Sequence, residues 1–292
     1  MFKRVAVLGT GLIGGSFALA IKRAGLASVI VAFDRDPAAA EKARELGIAD
    51  ATANDARDAV AGCDLVVVAA PVSQTESILD AVASSLERDA IVTDVGSTKR
   101  DVIAAARRAL GGRIACFVPG HPIAGREVHG PGAALADLFV GKRVLLTPLV
   151  ENDEATVARV RDAWTACGGR VETLDADAHD RVLSAVSHLP HLLAYALVAQ
   201  IADASDAELK FALAGGGFRD FTRIAASSPE MWRDIAIANR DALLDDLDAY
   251  RMRLDALRAS IAASDRDALE SLFAKASAAR TDWEGRRLTG DR

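Results

Sequence analysis

The stretch VAVLGTGLIGGSFALAIKRAG, residues 5–25, decides the fold of this chain. An apolar run, Val5–Leu8, stops at Gly9, and an alanine-rich helical pattern opens after Gly11. Gly9, Gly11 and Gly14 stand as G-x-G-x-x-G between the two. The first glycine lets the chain turn, the second lets a pyrophosphate approach the backbone, and the third lets helix pack on strand. The helix start, with Leu12 and Ile13, offers free N–H groups and the positive end of a dipole to phosphates. Asp34 ends the next apolar run, twenty residues after Gly14. A carboxylate there holds the ribose hydroxyls of a dinucleotide and repels a 2′-phosphate, which favours NAD. Arg35 beside it blunts that preference or is a solvated surface charge, so NADP stays open.

Outward from this unit the pattern repeats. Apolar runs at Val29–Phe33, Leu65–Ala69, Ala90–Thr93, Ile114–Val118, Arg143–Thr147 and Arg170–Thr173 alternate with helical stretches to about residue 174. Runs apolar at every position suit strands covered on both faces, and alternation with helices implies a parallel sheet. From Asp175 the strand signals stop. Residues 178–204 read helical, 215–229 are punctuated by glycine and proline, and a long helical region runs from Glu230 to near Trp283. In it Leu243, Leu247, Tyr250, Leu254, Leu257 and Ile261 recur at spacings of four and three, a seam for helix-on-helix packing. The expected fold class is α/β: a Rossmann-type parallel-sheet dinucleotide-binding domain, residues 1–175, followed by an all-helical substrate and dimerisation domain, residues 176–292.

Composition narrows the function. The chain has 292 residues, half of them hydrophobic, and a formal charge of −6, which argues against nucleic acid or an anionic membrane as partner. An anionic substrate would need locally placed cations. The longest apolar run, around Leu65–Val72, is far too short to cross a bilayer, and the basic start at Lys3 and Arg4 reads as a first strand rather than a signal peptide. Three scattered cysteines, Cys63, Cys116 and Cys167, fit buried thiols in a reducing cytoplasm.

Ligands of such sheets lie beyond the carboxyl ends of the strands. Pro71 and Val72 end one strand and either line the cofactor or form an ordinary strand exit. Ser97, in TDVGSTK, is a hydroxyl at the mouth of the site, an N-cap for the helix containing Val102–Leu110, or both. His121 follows in GHPIAG, between Gly120 and Pro122, in what reads as a rigid loop after a strand. A lone histidine is more often structural than catalytic, but this placement favours catalysis. In SAVSHLPHLLAYAL, His188 and His191 lie three apart, with Pro190 able to bend the helix. No Asp, Glu or Cys accompanies them at metal spacing, so no metal is expected, and His188 suits a core role. In GGGFRDFTRIA, Arg219 and Arg223 flank Asp220 behind three glycines, which suits a carboxylate ligand or surface ion pairing, the latter more for Arg219.

Taken in order, GTGLIGGS, DVGSTK, GHPIAGRE, SHLPH, GGGFRDFTRIA and MWRD resemble the prephenate dehydrogenases of tyrosine biosynthesis, from Val5 to at least Trp232. The resemblance implies oxidative decarboxylation of prephenate to 4-hydroxyphenylpyruvate with reduction of NAD(P). It implies that His121 accepts the proton of the substrate's ring hydroxyl, near its ordinary pKa of about 6.5. It implies that Ser97 orients the substrate, that His191 and Arg223 bind it, and that Glu127, Gly216, Arg219, Asp220 and Trp232 surround the pocket and its entrance. Arg219 stands where relatives can carry lysine. A homodimer built through the helical region is expected, and tyrosine, where it regulates the enzyme, is expected to compete at the active site. No fused mutase or regulatory domain is expected. Arogenate or broad cyclohexadienyl dehydrogenase stays open as a reading. So do a β-hydroxyacid dehydrogenase, which would want a catalytic lysine on the helical domain (Lys210 is a poor candidate), and an NAD-sensing module that need not keep His121, His191 and Arg223 together.

Overall fold

The structure, a computed structural model, describes residues 1–290. Six parallel strands form the first sheet: β1 (Phe2–Leu8), β2 (Ala27–Phe33), β3 (Ala51–Thr52), β4 (Leu65–Val68), β5 (Ile91–Asp94) and β6 (Phe117–Val118). Their order is β3-β2-β1-β4-β5-β6. It reverses between β1 and β4, and at such a switch point the strand ends open a ligand crevice. Helices α1 (Leu12–Arg23), α2 (Pro37–Glu45), α3 (Ala56–Val60), α4 (Thr75–Val82) and α5 (Arg100–Leu110) follow the first five strands in turn.

Both faces of this sheet are covered, which is why its strands are apolar at nearly every position. Val5, Val7, Leu65 and Val67 pack on one side with Phe17, Ile21 and Trp164. Ala6, Leu8, Val66 and Val68 pack on the other with Leu79, Val92 and Val102. Trp164 is fully buried, and Phe17 and Phe139 meet its ring edge-on, with centroids 4.8 and 5.1 Å away.

The second sheet has three strands. β7 (Gly120–Pro122) pairs antiparallel with β8 (Arg143–Leu146), and β8 pairs parallel with β9 (Arg170–Thr173), with α6 (Glu154–Ala166) between them in the chain. This corrects two sequence expectations. The runs at 143 and 170 leave the main sheet, and His121 lies on a strand, opposite Leu145, instead of in a loop. The single strand expected over 114–118 is a 3-10 turn, Gly111–Cys116, and two strand residues. Pro119 then carries the chain from one sheet to the other, since a proline has no N–H to extend a ladder.

Helices follow: α7 (Ala176–Leu183), a π turn (Ser184–His188), α8 (Leu189–Ala202), α9 (Ala207–Ala212), α10 (Gly216–Thr222) and α11 (Pro229–Ala238). Asp175 caps α7 by accepting from the Ala178 amide at 2.8 Å, and Ser228 caps α11 ahead of Pro229. The π turn sits just before Pro190, which falls in the first turn of α8 and cannot donate an intrahelical bond. By length and composition the stretch Ala176–Ala202 is apolar enough to cross a membrane, and it is only 22% buried. The apolar stretch around Leu65–Val72 is therefore not the one that length and hydropathy single out.

The long helical region expected from Glu230 is three helices. Residues Met1–Arg240 form one compact unit, and residues from Asp241 form a second. The second contains most of α12 (Arg240–Ala262) and α13 (Arg266–Gly290), joined by a turn in which Ser264 takes φ of 53°. Along α12, Leu254 and Ile261 of the expected seam are 47% and 59% exposed.

Candidate active site

The cofactor loop keeps the logic of its glycines. Gly9 has φ of +107°, and a Cβ there would meet the Ala69 carbonyl oxygen at 2.4 Å. A Cβ on Gly14 would meet the Gly9 oxygen at 2.0 Å. Around a Cβ on Gly11 there is nothing within 4 Å, so this glycine leaves space for a ligand at the N-terminus of α1, where no side chain caps the helix. Asp34 accepts from the Thr10 amide and hydroxyl at 2.7 and 3.0 Å and from the Asp36 amide at 3.0 Å, which ties the carboxylate to the glycine turn. An open cradle with free amides and a fixed carboxylate at the end of β2 fits a dinucleotide.

In front of this loop lies a cavity of about 590 Å³. Of the sequence-predicted residues, Gly11, Leu12, Ile13, Pro71, Val72 and Ser97 line it from the cofactor side. His121, Glu127, His191, Arg223 and Trp232 line it from the other. Gly9 and Gly14, which pack against Ala69, are not on the wall. Asp34, Arg35, Gly216, Arg219 and Asp220 are not on the wall. Arg219 pairs with its neighbour Asp220 at 3.3 Å, with both side chains more than three-quarters exposed.

At the outer side of the cavity, Arg223 hydrogen-bonds Glu127 across 96 residues of sequence. His191 stacks on Trp232 with ring centroids 3.7 Å apart, and its Nδ1 donates to the Ser187 carbonyl at 2.8 Å. Burial holds the His191 imidazole below its ordinary pKa, with Arg223 adding to the effect and the Ser187 bond and Glu127 opposing it. Two more donors on the wall, His188 Nε2 and Trp232 Nε1, are buried without a partner among the described residues. Asn239 donates to His188 Nδ1 at 3.1 Å, so the proton of this ring is on Nε2.

At the inner side, Asp94 at the end of β5 accepts from the Gly96 and Gly120 amides at 2.7 and 3.0 Å and from Lys99 Nζ at 2.5 Å. Lys99 is fully buried and also donates to the Gly120 carbonyl at 2.7 Å. This ion pair fixes the Ser97 loop against the strand that carries His121. Asp180, on α7, accepts from the Lys99 and Arg100 amides at 2.8 and 2.9 Å. It therefore caps α5, the role the sequence offered to Ser97, which makes no cap bond there. His121 is nearly buried, and its Nδ1 lies 2.9 Å from His179 Nε2. Burial, with electrostatic coupling to the His179 ring, the Lys99 ammonium and the His188 ring, pushes the His121 pKa well below 6.5 rather than leaving it near that value. Sequence reasoning missed Asp94, Lys99, His179, Asp180 and Asn239. Asp94 and Lys99 stand in the quoted motif DVGSTK without an assigned role, and nothing in the local pattern marks the others.

Comparison with known proteins follows the same lines. The family profile described as prephenate dehydrogenase, nucleotide-binding domain, matches residues 17–173, and the one described as prephenate dehydrogenase, dimerization domain, matches residues 175–275. The chain is 38% identical over 285 residues to the cyclohexadienyl dehydrogenase of Zymomonas mobilis, covering 96% of each. It is 37% identical over 271 residues to the prephenate dehydrogenase of Bacillus subtilis, covering 92% of this chain and 73% of that one. A crystal structure of prephenate dehydrogenase from Aquifex aeolicus with hydroxyphenyl propionate and NAD+ superposes with a TM-score of 0.89 at 34% identity, covering 97% of this chain and 98% of that one.

Proposed function

The chain belongs to the prephenate dehydrogenase family, and from that premise we propose that it converts prephenate to 4-hydroxyphenylpyruvate with loss of carbon dioxide and reduction of NAD. One observation carries the reading: His121, His191 and Arg223 face the same cavity as the dinucleotide loop Gly11–Ile13. When bound on that loop, NAD supplies the oxidant for the carbon that bears the ring hydroxyl. His121 takes the hydroxyl proton; because burial keeps the ring neutral, it is in its base form throughout the neutral range. Ser97 orients the hydroxyl from the cofactor side. Arg223 supplies a cation to a substrate carboxylate, and His191, His188 Nε2 and Trp232 Nε1 meet its other oxygens. Gly216, Arg219, Asp220 and Glu127 belong to the entrance. Once the ring ketone forms, it is an electron sink for loss of the ring carboxylate, and the aromatic product makes the step effectively irreversible.

A broader reading, with arogenate accepted as well, is favoured by the similarity to the Zymomonas mobilis cyclohexadienyl dehydrogenase. A β-hydroxyacid dehydrogenase is not: Lys210 is ion-paired to Asp206 and lies off the cavity. The test is an absorbance assay of reduced nicotinamide with prephenate and then arogenate, each with NAD and NADP. Turnover of prephenate with NAD is expected, and no turnover of either substrate would overturn the reading. Asp34→Ser should move the preference toward NADP, since it leaves Arg35 free for a 2′-phosphate. Equal use of both cofactors by the unmodified protein would show that Arg35 offsets Asp34.

The same proposal takes residues 1–175 for the cofactor and 176–292 for substrate and dimerisation. The exposed apolar side chains on α12 and the matched dimerization domain support a homodimer, which light scattering tests. Three unpaired cysteines support a cytoplasmic setting. Tyrosine shares the six-membered ring and acid tail of the substrate, so its inhibition should be competitive and weaken in His191→Ala.

A further inference from the structure

We propose that His179 is a positioning residue that holds His121 in its base form through a hydrogen-bonded chain, His121–His179–Asp180, and shares the proton that His121 takes up. The inference rests on the reading of His121 as the group that meets the substrate hydroxyl.

The geometry is continuous and buried. His121 Nδ1 lies 2.9 Å from His179 Nε2, and His179 Nδ1 lies 2.8 Å from Asp180 Oδ1. The two imidazoles are tilted by 57° with centroids 5.1 Å apart, so their nitrogens meet without the rings stacking. His179 and Asp180 are wholly buried. Every other bond that Asp180 makes through its carboxyl is one it accepts. Oδ1 also takes the Lys99 amide, and Oδ2 takes the Arg100 amide and the Arg100 Nε at 2.9 and 3.2 Å. Burial raises the Asp180 pKa, but the bonds from His179, Arg100 and Lys99 outweigh it and hold the carboxyl below its ordinary value.

An ionised carboxylate can only accept, so the hydrogen between His179 and Asp180 is on His179 Nδ1. A neutral His179 then has a bare Nε2, and the hydrogen in the next bond must come from His121 Nδ1. That leaves Nε2 of His121 bare, which is the form a proton acceptor needs. A chain ending in a donor instead of a carboxylate would reverse both bonds and put a hydrogen on His121 Nε2. The carboxylate thus sets the tautomer of a ring it does not touch.

The same chain moves the charge. When the substrate O–H bond breaks, its electron pair stays on oxygen and a new N–H bond forms at His121 Nε2. The His121 Nδ1–H bond then breaks as one forms at His179 Nε2. The positive charge comes to rest on His179 beside Asp180, and His121 is neutral again. This offsets what burial and the nearby Lys99 do to a cation on His121.

The test reads the tautomer directly, without substrate or cofactor, by side-chain NMR of nitrogen-15-labelled protein, with His121 assigned through His121→Asn. The unmodified protein should show His121 with a hydrogen on Nδ1 and a bare Nε2. His179→Phe removes the acceptor; it should lose that tautomer and at least about a hundredfold in kcat, with the substrate KM changed by less than about threefold. His179→Gln keeps an acceptor for His121 and a donor for Asp180 but cannot take up a proton, so it should restore the tautomer and only part of kcat. Asp180→Asn, offered in case the phenylalanine variant does not fold, should put the hydrogen on His121 Nε2. NAD binding and the thermal midpoint serve as checks of folding. A hydrogen on His121 Nε2 in the unmodified protein, or normal kcat in His179→Phe, would overturn the proposal. Failure of the functional reading is distinguishable: a protein inactive on prephenate and arogenate with the expected tautomer would lose only the function.

Discussion

Two walls of one cavity hold charge in opposite ways. Behind the inner wall, where Gly96, Ser97 and His121 line the cavity, Asp94, Lys99, His179 and Asp180 are buried, and their bonds link β5, β7, α5 and α7. At the outer side, Arg223 is 61% exposed against Glu127, and Arg219 is 81% exposed against Asp220. Buried charges cost several kcal/mol to desolvate and persist only when every donor and acceptor is matched, which leaves them one arrangement. Exposed pairs contribute little and rearrange readily. The difference teaches which task each wall suits. Fixed geometry belongs behind the group that takes a proton, and loosely held cations belong where an anionic substrate must enter and leave.

The comparison breaks first at His121. His121→Asn should lower kcat by about two to four orders of magnitude while NAD still binds. Steady-state kinetics with a binding titration would show it, and near-normal turnover would remove His121 from the chemistry and the inner wall from its role. Next comes the ion pair. Lys99→Met leaves Asp94 buried with one donor fewer, and breaking such a pair costs about 3–5 kcal/mol. Urea unfolding should show a loss of that size, and the double change with Asp94→Asn should recover part of it. A Lys99→Met protein as stable as the original would mean the pair holds nothing in place.

A pH series sharpens the same contrast. Burial pushes the His188 pKa down to about 4, with His179 and His191 adding to it and Asp180 and the Ser97 backbone opposing it. An unfolded imidazole titrates near 6.5. Between those values the unfolded chain binds a proton that the folded ring refuses, so stability is complete above about pH 6.5 and falls as the pH drops. At about 1.4 kcal/mol per pKa unit, roughly 3 kcal/mol is lost by pH 4. His188→Gln keeps an acceptor for Asn239 and should unfold with a pH dependence shallower by that amount. An unchanged slope would show that His188 is already charged in the folded protein.

How much was legible follows the same division. The main sheet could be read because its strands are apolar at every position, which only double coverage explains. β7 could not, because three residues holding a proline carry no alternation to detect. The outer side of the site was legible because exposed arginines and a histidine in loops and helices, Arg223 and His191, stand out against a net-acidic chain. The inner wall was not. His179 sits in DADAHDR, where three acids in a row of seven residues suggest a solvated helix start, yet the ring is wholly buried. A buried lysine such as Lys99 gives no sequence signal of its own, since lysine is ordinarily exposed and only the partner across the fold makes its burial tolerable.

The smallest effects separate the two arginines. Arg223 lines the cavity, and a charge-assisted bond to a substrate carboxylate contributes about 1.5–3 kcal/mol. Arg223→Ala should therefore raise the substrate KM about tenfold to a hundredfold with kcat little changed, because the contact is made in ground and transition states alike. Arg219 stands off the wall, bonded to its own neighbour in solvent. Its field at the cavity is screened within about 10 Å at moderate salt. Arg219→Ala should change KM by no more than about twofold, and raising the salt concentration should erase even that. If Arg219→Ala instead matched Arg223→Ala and resisted salt, α10 would have to close over the substrate, and the outer side would hold its charges as firmly as the inner wall does.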